Sequence, residues 1–402
     1  MQDYLRVVVT GEVDSGKSTL IGRFLYDMGS LSRGVIEEIQ DVCQRLGNDF
    51  EFAYLLDSFE EERRNQLTID TTQVFCKTKR GKEFVFIDVP GHQELLMNML
   101  CGSSYADIAI LIVDVQKSME DQTKRHALIL KFLGIEQVII VLNKMDSVGF
   151  DEIIFEKVKE EIEEFFRKIQ LQPKYFIPIS AREGENLIKR SKKMAWYKGL
   201  SILEGLNTCS REKSNGSFRL PIQDIYYLNK EKVAVGKIIS GKIKKGDKVK
   251  VLPINKECKI ESIKIFNKND STAEAPESIG LILDDMNDLM RGQVICKPRF
   301  PKVTTEILVK IFCILPLNIK EGLRFRCVTQ EIPAQIKQIN EVWDTVNLEP
   351  LSKEGLLEKT NFAEAIIVTE KPVVVERFEG LNNLGRFVLK NNKEIYAMGF
   401  IL

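Results

Sequence analysis

The segment Gly11-Glu12-Val13-Asp14-Ser15-Gly16-Lys17-Ser18 lies directly behind the apolar run Leu5–Val9 and ahead of a helical stretch, and it constrains this chain more than any other feature. It matches G-x-x-x-x-G-K-[ST], a loop whose backbone N–H groups, here around Gly11 and Gly16, turn toward a β-phosphate. In such a loop Lys17 spans the β- and γ-phosphates, the Ser18 hydroxyl ligates magnesium, and the helix that begins through Thr19 adds the positive end of its dipole. From average residue usage, four such positions coincide by chance in about 1% of chains of this length. A strand before and a helix after make the coincidence rarer still.

A loop of this kind requires a βα unit, and short β-rich runs do alternate with helical stretches from Leu5 to about Asn207, the pattern of a parallel sheet covered by helices on both faces. The strands read as Arg6–Thr10, Ile69–Lys77, Glu83–Asp88, Ile108–Val113, Val138–Asn143 and Phe176–Ser180. Helices are expected at Lys17–Tyr26, Thr123–Phe132 and Glu152–Ile169, the last with a solvated Glu/Lys face alternating with Ile153, Phe155, Val158, Ile162, Phe165 and Phe166. Around Ser210–Ser217 the chain turns polar, and beyond it the pattern becomes short strands punctuated by turns, so an all-β region is expected from about residue 218. Strands are read at Lys237–Lys244 and Lys248–Leu252, joined as a hairpin at Gly246-Asp247, and at Cys258–Ile265, Ser278–Leu283, Glu306–Ile314, Ala363–Thr369 and Gly385–Leu389. The prolines bracketing Arg299 and Phe300 suggest a break between two β-barrels. The expected organisation is therefore an α/β P-loop domain at 1–210, followed by all-β barrel domains at 218–298 and 301–402.

Three further loops follow in order, each at the carboxyl end of a strand, where ligands bind in open α/β sheets. Asp88-Val89-Pro90-Gly91-His92 offers a carboxylate, Asp88, for the magnesium shell and a backbone N–H at Gly91 for the γ-phosphate. Asn143-Lys144-Met145-Asp146 fits a guanine-reading loop, because the Asp146 carboxylate accepts from N1–H and from the 2-amino group, donors that adenine lacks. Ser180-Ala181 fits the last base-contacting loop. The expected ligands are GTP or GDP with Mg²⁺, and the expected chemistry is GTP hydrolysis. A second match to the phosphate-loop spacing, Gly236 to Gly241-Lys242, carries Ile243 in place of the hydroxyl residue and sits in a β-pattern, so it is read as strand and turn.

Composition narrows the partners. Lys plus Arg and Asp plus Glu number 58 each, so no global basic field draws the chain to nucleic acid. Eight scattered cysteines without a C-x-x-C pair, and only two histidines, support neither a zinc site nor a disulfide framework. No apolar run approaches the ~18 residues of a membrane span and no leader pattern precedes the first strand, so a cytoplasmic protein is expected.

With these loops in place, the chain resembles translation-factor GTPases of the elongation factor 1A/Tu class, and within that class the large, GTPase subunit of bacterial sulfate adenylyltransferase. The resemblance is carried by Tyr4-Leu5-Arg6, by the run from Gly11 to Arg23, by Asp121–His126, by Met194-Ala195-Trp196-Tyr197-Lys198-Gly199 and by Ser240–Pro253. It implies that Thr68 closes on magnesium and the γ-phosphate, that His92 positions the attacking water, and that Asp14 helps neutralise charge near the β/γ bridge. It also implies a small ATP-binding adenylyltransferase subunit as partner. Departures from the family pattern are Gln66, where glycine is usual, Ser15 in place of a second aspartate, and Val89 in place of threonine.

Overall fold

A computed structural model of the chain describes residues 4–31, 34, 36, 37, 43, 52, 72–78, 81–88, 106–210, 216–228, 231–265, 271–318, 322–344, 350, 351, 356–391 and 394–402. Two compact units emerge, Met1–Glu212 and Lys213–Leu402.

The first unit is built on six strands, β1 (Tyr4–Gly11), β2 (Thr72–Lys77), β3 (Glu83–Asp88), β4 (Ile108–Asp114), β5 (Val138–Asn143) and β6 (Tyr175–Pro178), in the order β2-β3-β1-β4-β5-β6. All neighbours are parallel except the β2–β3 edge pair. Every residue of β4 and β5 is buried, as expected of strands covered on both faces. Among the described residues, this unit also carries the helices α1 (Lys17–Met28), α2 (Asp121–Phe132), α3 (Glu152–Lys168) and α4 (Ile202–Thr208). On α3 the apolar stripe Phe155, Val158, Ile162, Phe165 and Phe166 is buried, and Asp151 caps the first turn by accepting from the Ile153 and Ile154 N–H groups. Ile153, assigned to that stripe from the sequence, instead lies outward and is 79% exposed. The chain passes from β1 to strands on both sides of it, β3 and β4, so the order reverses at β1. The loop following β1 therefore opens into the crevice of a topological switch point.

The second unit contains two closed six-stranded barrels. The first is formed from β7 (Arg219–Leu228), β8 (Glu231–Lys237), β10 (Lys248–Leu252), β11 (Lys256–Lys264), β13 (Ser278–Leu283) and β14 (Val294–Cys296), with the short pair β9 (Lys242–Lys244) and β12 (Thr272–Glu274) beside it. The second is formed from β15 (Lys302–Cys313), β17 (Leu323–Cys327), β18 (Gln330–Trp343), β20 (Phe362–Val375), β21 (Arg386–Lys390) and β22 (Ile395–Ile401). A further short pair is β16 (Leu317–Asn318) with β19 (Leu356–Leu357), and α5 (Asn382–Gly385) is a single turn. The expected strand Lys237–Lys244 is broken, and the hairpin at Gly246-Asp247 does not form. After β8 the chain crosses over, the Ile239 N–H bonding to Arg219 O, and β9 pairs with β12 while β10 pairs with β11 and β14. Gly241 sets this crossover with φ +70, its position so tight that a Cβ would stand 2.6 Å from the Phe218 N. The two barrels share one apolar cluster, in which Leu252, Val294 and Cys296 of the first join the second barrel's core. Arg219, 4% exposed, adds an ion pair from the first barrel to the half-buried Glu376 of the second at 2.6 Å.

Candidate nucleotide site

The carboxyl ends of β3, β1, β4 and β5 place Asp88, Gly11, Asp114 and Asn143 along one edge of the sheet, with Ser180 two residues past β6. The phosphate-loop glycines are required by space as well as by conformation. A Cβ on Gly11 would lie 2.4 Å from Ile112 O, and one on Gly16, where φ is +94, would lie 2.4 Å from Asn143 Nδ2. Asp14, also left-handed at φ 61, is exposed at the rim. Ser15 is buried and turns its hydroxyl back to Glu12 O at 2.7 Å, so here it serves the loop itself.

Lys17, the first residue of α1, is buried, and its ammonium donates to Gly11 O at 3.0 Å and Glu12 O at 2.6 Å. Burial lowers its pKa, while Asp88, Asp14 and Glu12 act in the opposite direction. Ser18 donates to Asp88 Oδ2 at 3.4 Å, which sets a hydroxyl and a carboxylate oxygen side by side. This donor pair fits Mg²⁺, a hard cation that is usually held by one or two protein oxygens together with phosphate and water. Thr19 follows in the first turn of α1. Glu12 has its carboxyl pKa raised to about 7, chiefly by burial and then by a hydrogen bond with Glu120 and that residue's charge, against the opposing pull of Lys117 and Lys17.

Asn143 joins the three loops. Its Nδ2 donates to Ser15 O at 2.8 Å and its Oδ1 accepts from the Ala181 N–H at 3.0 Å, with the side chain 3% exposed. Lys144 takes a left-handed conformation (φ 64) and pairs with Asp114 Oδ2 at 2.8 Å, Asp114 itself being 5% exposed. Asp146 lies half-buried on the 3₁₀ turn Met145–Val148. Ser180 is fully buried and accepts from the Glu183 N–H through its hydroxyl at 3.2 Å, next to buried Ala181.

Gly11, Asp14, Ser15, Gly16, Lys17, Ser18, Thr19, Asp88, Asn143, Lys144, Asp146, Ser180 and Ala181 thus meet at the strand ends. Thr68, Gly91 and His92 lie outside the described residues, as do Gln66 and Val89. Sequence reasoning missed Asp114, whose only signal was an acidic residue closing the apolar run of β4, and it missed the hydrogen bond from Arg23 Nη1 to Arg182 O at 2.9 Å. Trp196 and Tyr197 prove to be packing residues. The indole donates to Phe150 O at 2.9 Å, and the phenol donates to Phe176 O and Leu200 O with its pKa raised to about 12 by burial. Within Asp121–His126, Thr123 and His126 are buried, and burial with the charges of Lys17 and Arg125 lowers the imidazole to about 3, so it stays neutral. Gly236 and Lys242 of the second motif match lie at β8 and β9, as a strand and turn.

A phosphate loop at a switch point, an oxygen pair suited to magnesium and an Asn-Lys-x-Asp loop tied to both neighbours define a P-loop GTP-binding protein. The elongation factor Tu GTP binding domain matches residues 2–214, elongation factor Tu domain 2 matches 231–296, and the GTP-eEF1A C-terminal domain-like family matches 309–402. The chain belongs to the elongation factor Tu family of GTP-binding proteins. Elongation factor 1-alpha of Pyrobaculum arsenaticum is 32% identical over 425 residues, covering 99% of this chain and 94% of that protein. Sulfate adenylyltransferase subunit 1 of Shewanella woodyi is 33% identical over 403 residues, covering 96% of this chain and 84% of that protein. The same subunit of Bacteroides thetaiotaomicron is 32% identical over 405 residues, covering 96% and 83%. Identity alone does not choose between the two kinds of relative.

Proposed function

We propose that this chain hydrolyses GTP as the energising subunit of a sulfate adenylyltransferase. A separate, small ATP-binding subunit would transfer AMP from ATP to sulfate, giving adenosine 5′-phosphosulfate and pyrophosphate. The observation that supports this reading is the similarity to sulfate adenylyltransferase subunit 1 over 96% of the chain. The phosphosulfate anhydride is unfavourable to form, which gives GTP turnover something to drive. In this reading Lys17 holds the β- and γ-phosphates, the backbone around Gly11 and Gly16 cradles them, and Asp146 reads the guanine edge while Asn143 fixes the loop that carries it. Ser18 and Asp88, with Thr68, would hold Mg²⁺, which when bound neutralises charge on the phosphates. His92 orients the attacking water, and Gly91 donates its N–H to the γ-phosphate. The domains are read as 1–210, 218–298 and 301–402, and the compartment as the cytoplasm.

A second reading, an elongation-factor-like carrier of aminoacyl-tRNA, is favoured by the equal identity to elongation factor 1-alpha. Balanced charge speaks against it. Radiolabelled sulfate incorporation by this chain plus a small adenylyltransferase subunit, with GTP, GDP or a non-hydrolysable analogue, separates them. GTP-dependent product above the GDP yield supports the first reading. Yields indifferent to the nucleotide, together with GTP-dependent retention of aminoacyl-tRNA on filters, establish the second.

A further inference from the structure

Arg23 lies six residues beyond Lys17 on α1, about 9 Å along the helix that begins at the phosphate loop. Its guanidinium reaches the loop that follows β6. Nε donates to both carboxylate oxygens of Asp27 at 3.0 Å, one helical turn on, which fixes the plane of the group. Nη1 then donates to Arg182 O at 2.9 Å, a contact between residues 159 positions apart. The guanidinium Cζ also lies 5.0 Å from the centroid of the Phe52 ring.

The loop it reaches is shaped to receive it. Ser180 O accepts from the Gly184 and Glu185 N–H groups at 2.8 and 3.1 Å, closing a tight turn. At Gly184, where φ is +79, a Cβ would stand 2.6 Å from Nη2 and 2.7 Å from Cζ of Arg23. A side chain there would displace the guanidinium, so glycine is needed for contact as well as for conformation. On its other side the same turn is held by Asn143, through the Ala181 N–H at 3.0 Å. The turn is therefore clamped twice, and only the Asn143 clamp belongs to the guanine-loop motif.

We infer that Arg23 is a positioning residue for the guanine base, tying the Ser180–Glu185 turn to the phosphate-bearing helix so that base and phosphate subsites keep a fixed spacing. The inference rests on reading this site as a guanine-nucleotide site. Its consequence is selective. A ligand with a base needs both subsites in register, whereas a bare phosphate chain needs only the loop and the start of α1.

The test is displacement of a fluorescent GDP analogue from the full chain by GDP and, at millimolar concentration, by tripolyphosphate. Loss of one charge-assisted hydrogen bond near the surface should weaken GDP about tenfold in Arg23→Ala. Tripolyphosphate competition should stay within about twofold of wild type. Arg23→Lys should recover part of the GDP affinity, because an ammonium reaches Arg182 O but cannot also grip Asp27 in two places. Gly184→Ala breaks the same clamp from the other side with Arg23 intact, and it decides the matter if Arg23→Ala does not fold. In the double variant the two losses should not add. Equal weakening of GDP and tripolyphosphate would show a merely structural role in α1, and unchanged GDP affinity in both single variants would remove the clamp. Wild-type protein that binds no GDP would instead overturn the nucleotide reading on which the inference stands.

Discussion

Asn143 carries the most quantitative expectation at this site. Its amide orientation follows from its partners, since the Ala181 N–H can only donate and Ser15 O can only accept. Asn143→Ala leaves both backbone groups without their partner beside a side chain that was 3% exposed. An unsatisfied buried polar group costs about 1–3 kcal/mol. Water entering the space left by the amide can recover part of that, so the sum should fall near the lower end, about 2–3 kcal/mol. Expressed in the bound state, this is a loss of GDP affinity of roughly 30- to 150-fold. Asn143→Asp is the sharper variant, because it keeps an acceptor for Ala181 but sets a carboxylate oxygen against Ser15 O. It should bind GDP no better than Asn143→Ala, despite being nearly isosteric. Isothermal titration with GDP, alongside urea unfolding of each variant, measures both effects. A GDP affinity within about threefold of wild type in Asn143→Ala would refute the account of Asn143 as the junction of the three loops.

The other expectations are briefer. Asp146→Asn should shift preference from GDP toward xanthosine diphosphate, since an amide donates to the 2-carbonyl that replaces guanine's amino group; a competition titration with unchanged preference would show that Asp146 does not read the base. Glu12, with its carboxyl raised from 4.5 to about 7, favours the folded state as the neutral acid, a contribution complete below about pH 4.5 and lost as pH rises through about 7. Its ionisation adds negative charge beside Lys17, so GTP affinity should fall between pH 6 and 8 in wild type and change less in Glu12→Gln, read by titration at each pH. Arg219→Ala removes the partner of half-buried Glu376 and of the Phe218 and Lys297 carbonyls, and should cost about 2–3 kcal/mol in urea unfolding of the barrel unit, since Glu376 keeps some access to water. A loss below about 1 kcal/mol would mean that the pair is dispensable there.

What the sequence made legible divides along physical lines. β3 and β5 were read to the residue because strands buried on both faces appear as unbroken apolar runs, Phe-Val-Phe-Ile in β3 and Val-Ile-Ile-Val-Leu in β5. The phosphate and guanine loops were legible because their chemistry demands fixed residue types at fixed spacing. The barrels were harder. β18, fourteen residues long, passed unread because register shifts between Ile336 and Gln338 and between Ile339 and Glu341 interrupt its alternation, and three-residue strands such as β12 and β14 carry almost no pattern. The hairpin expected at Gly246-Asp247 failed for a related reason. A local turn signal was outweighed by the bonding of the crossover to β7, a contact no local reading contains. Arg23 and Asp114 escaped notice because what matters about each is a partner far along the chain, Arg182 and Lys144.

The nucleotide site is built from features expected under either proposed reading, so the choice between them depends on linkage with a partner. A partner that uses GTP turnover must distinguish the GTP-bound chain from the GDP-bound chain, since a ligand with equal affinity for two states shifts neither. Thermodynamic reciprocity then fixes a measurable equality. If a partner binds the form loaded with a non-hydrolysable GTP analogue more tightly than the GDP form by some factor, it must raise the chain's preference for that analogue over GDP by the same factor. A coupling of 1–3 kcal/mol, about 5- to 150-fold, lies well within the reach of titration. An adenylyltransferase subunit and an aminoacyl-tRNA can each be put to this test with the same protein and the same two nucleotides. The physiological partner is the one for which this shared factor departs from unity. A candidate that leaves the nucleotide preference unmoved is excluded, however tightly it binds.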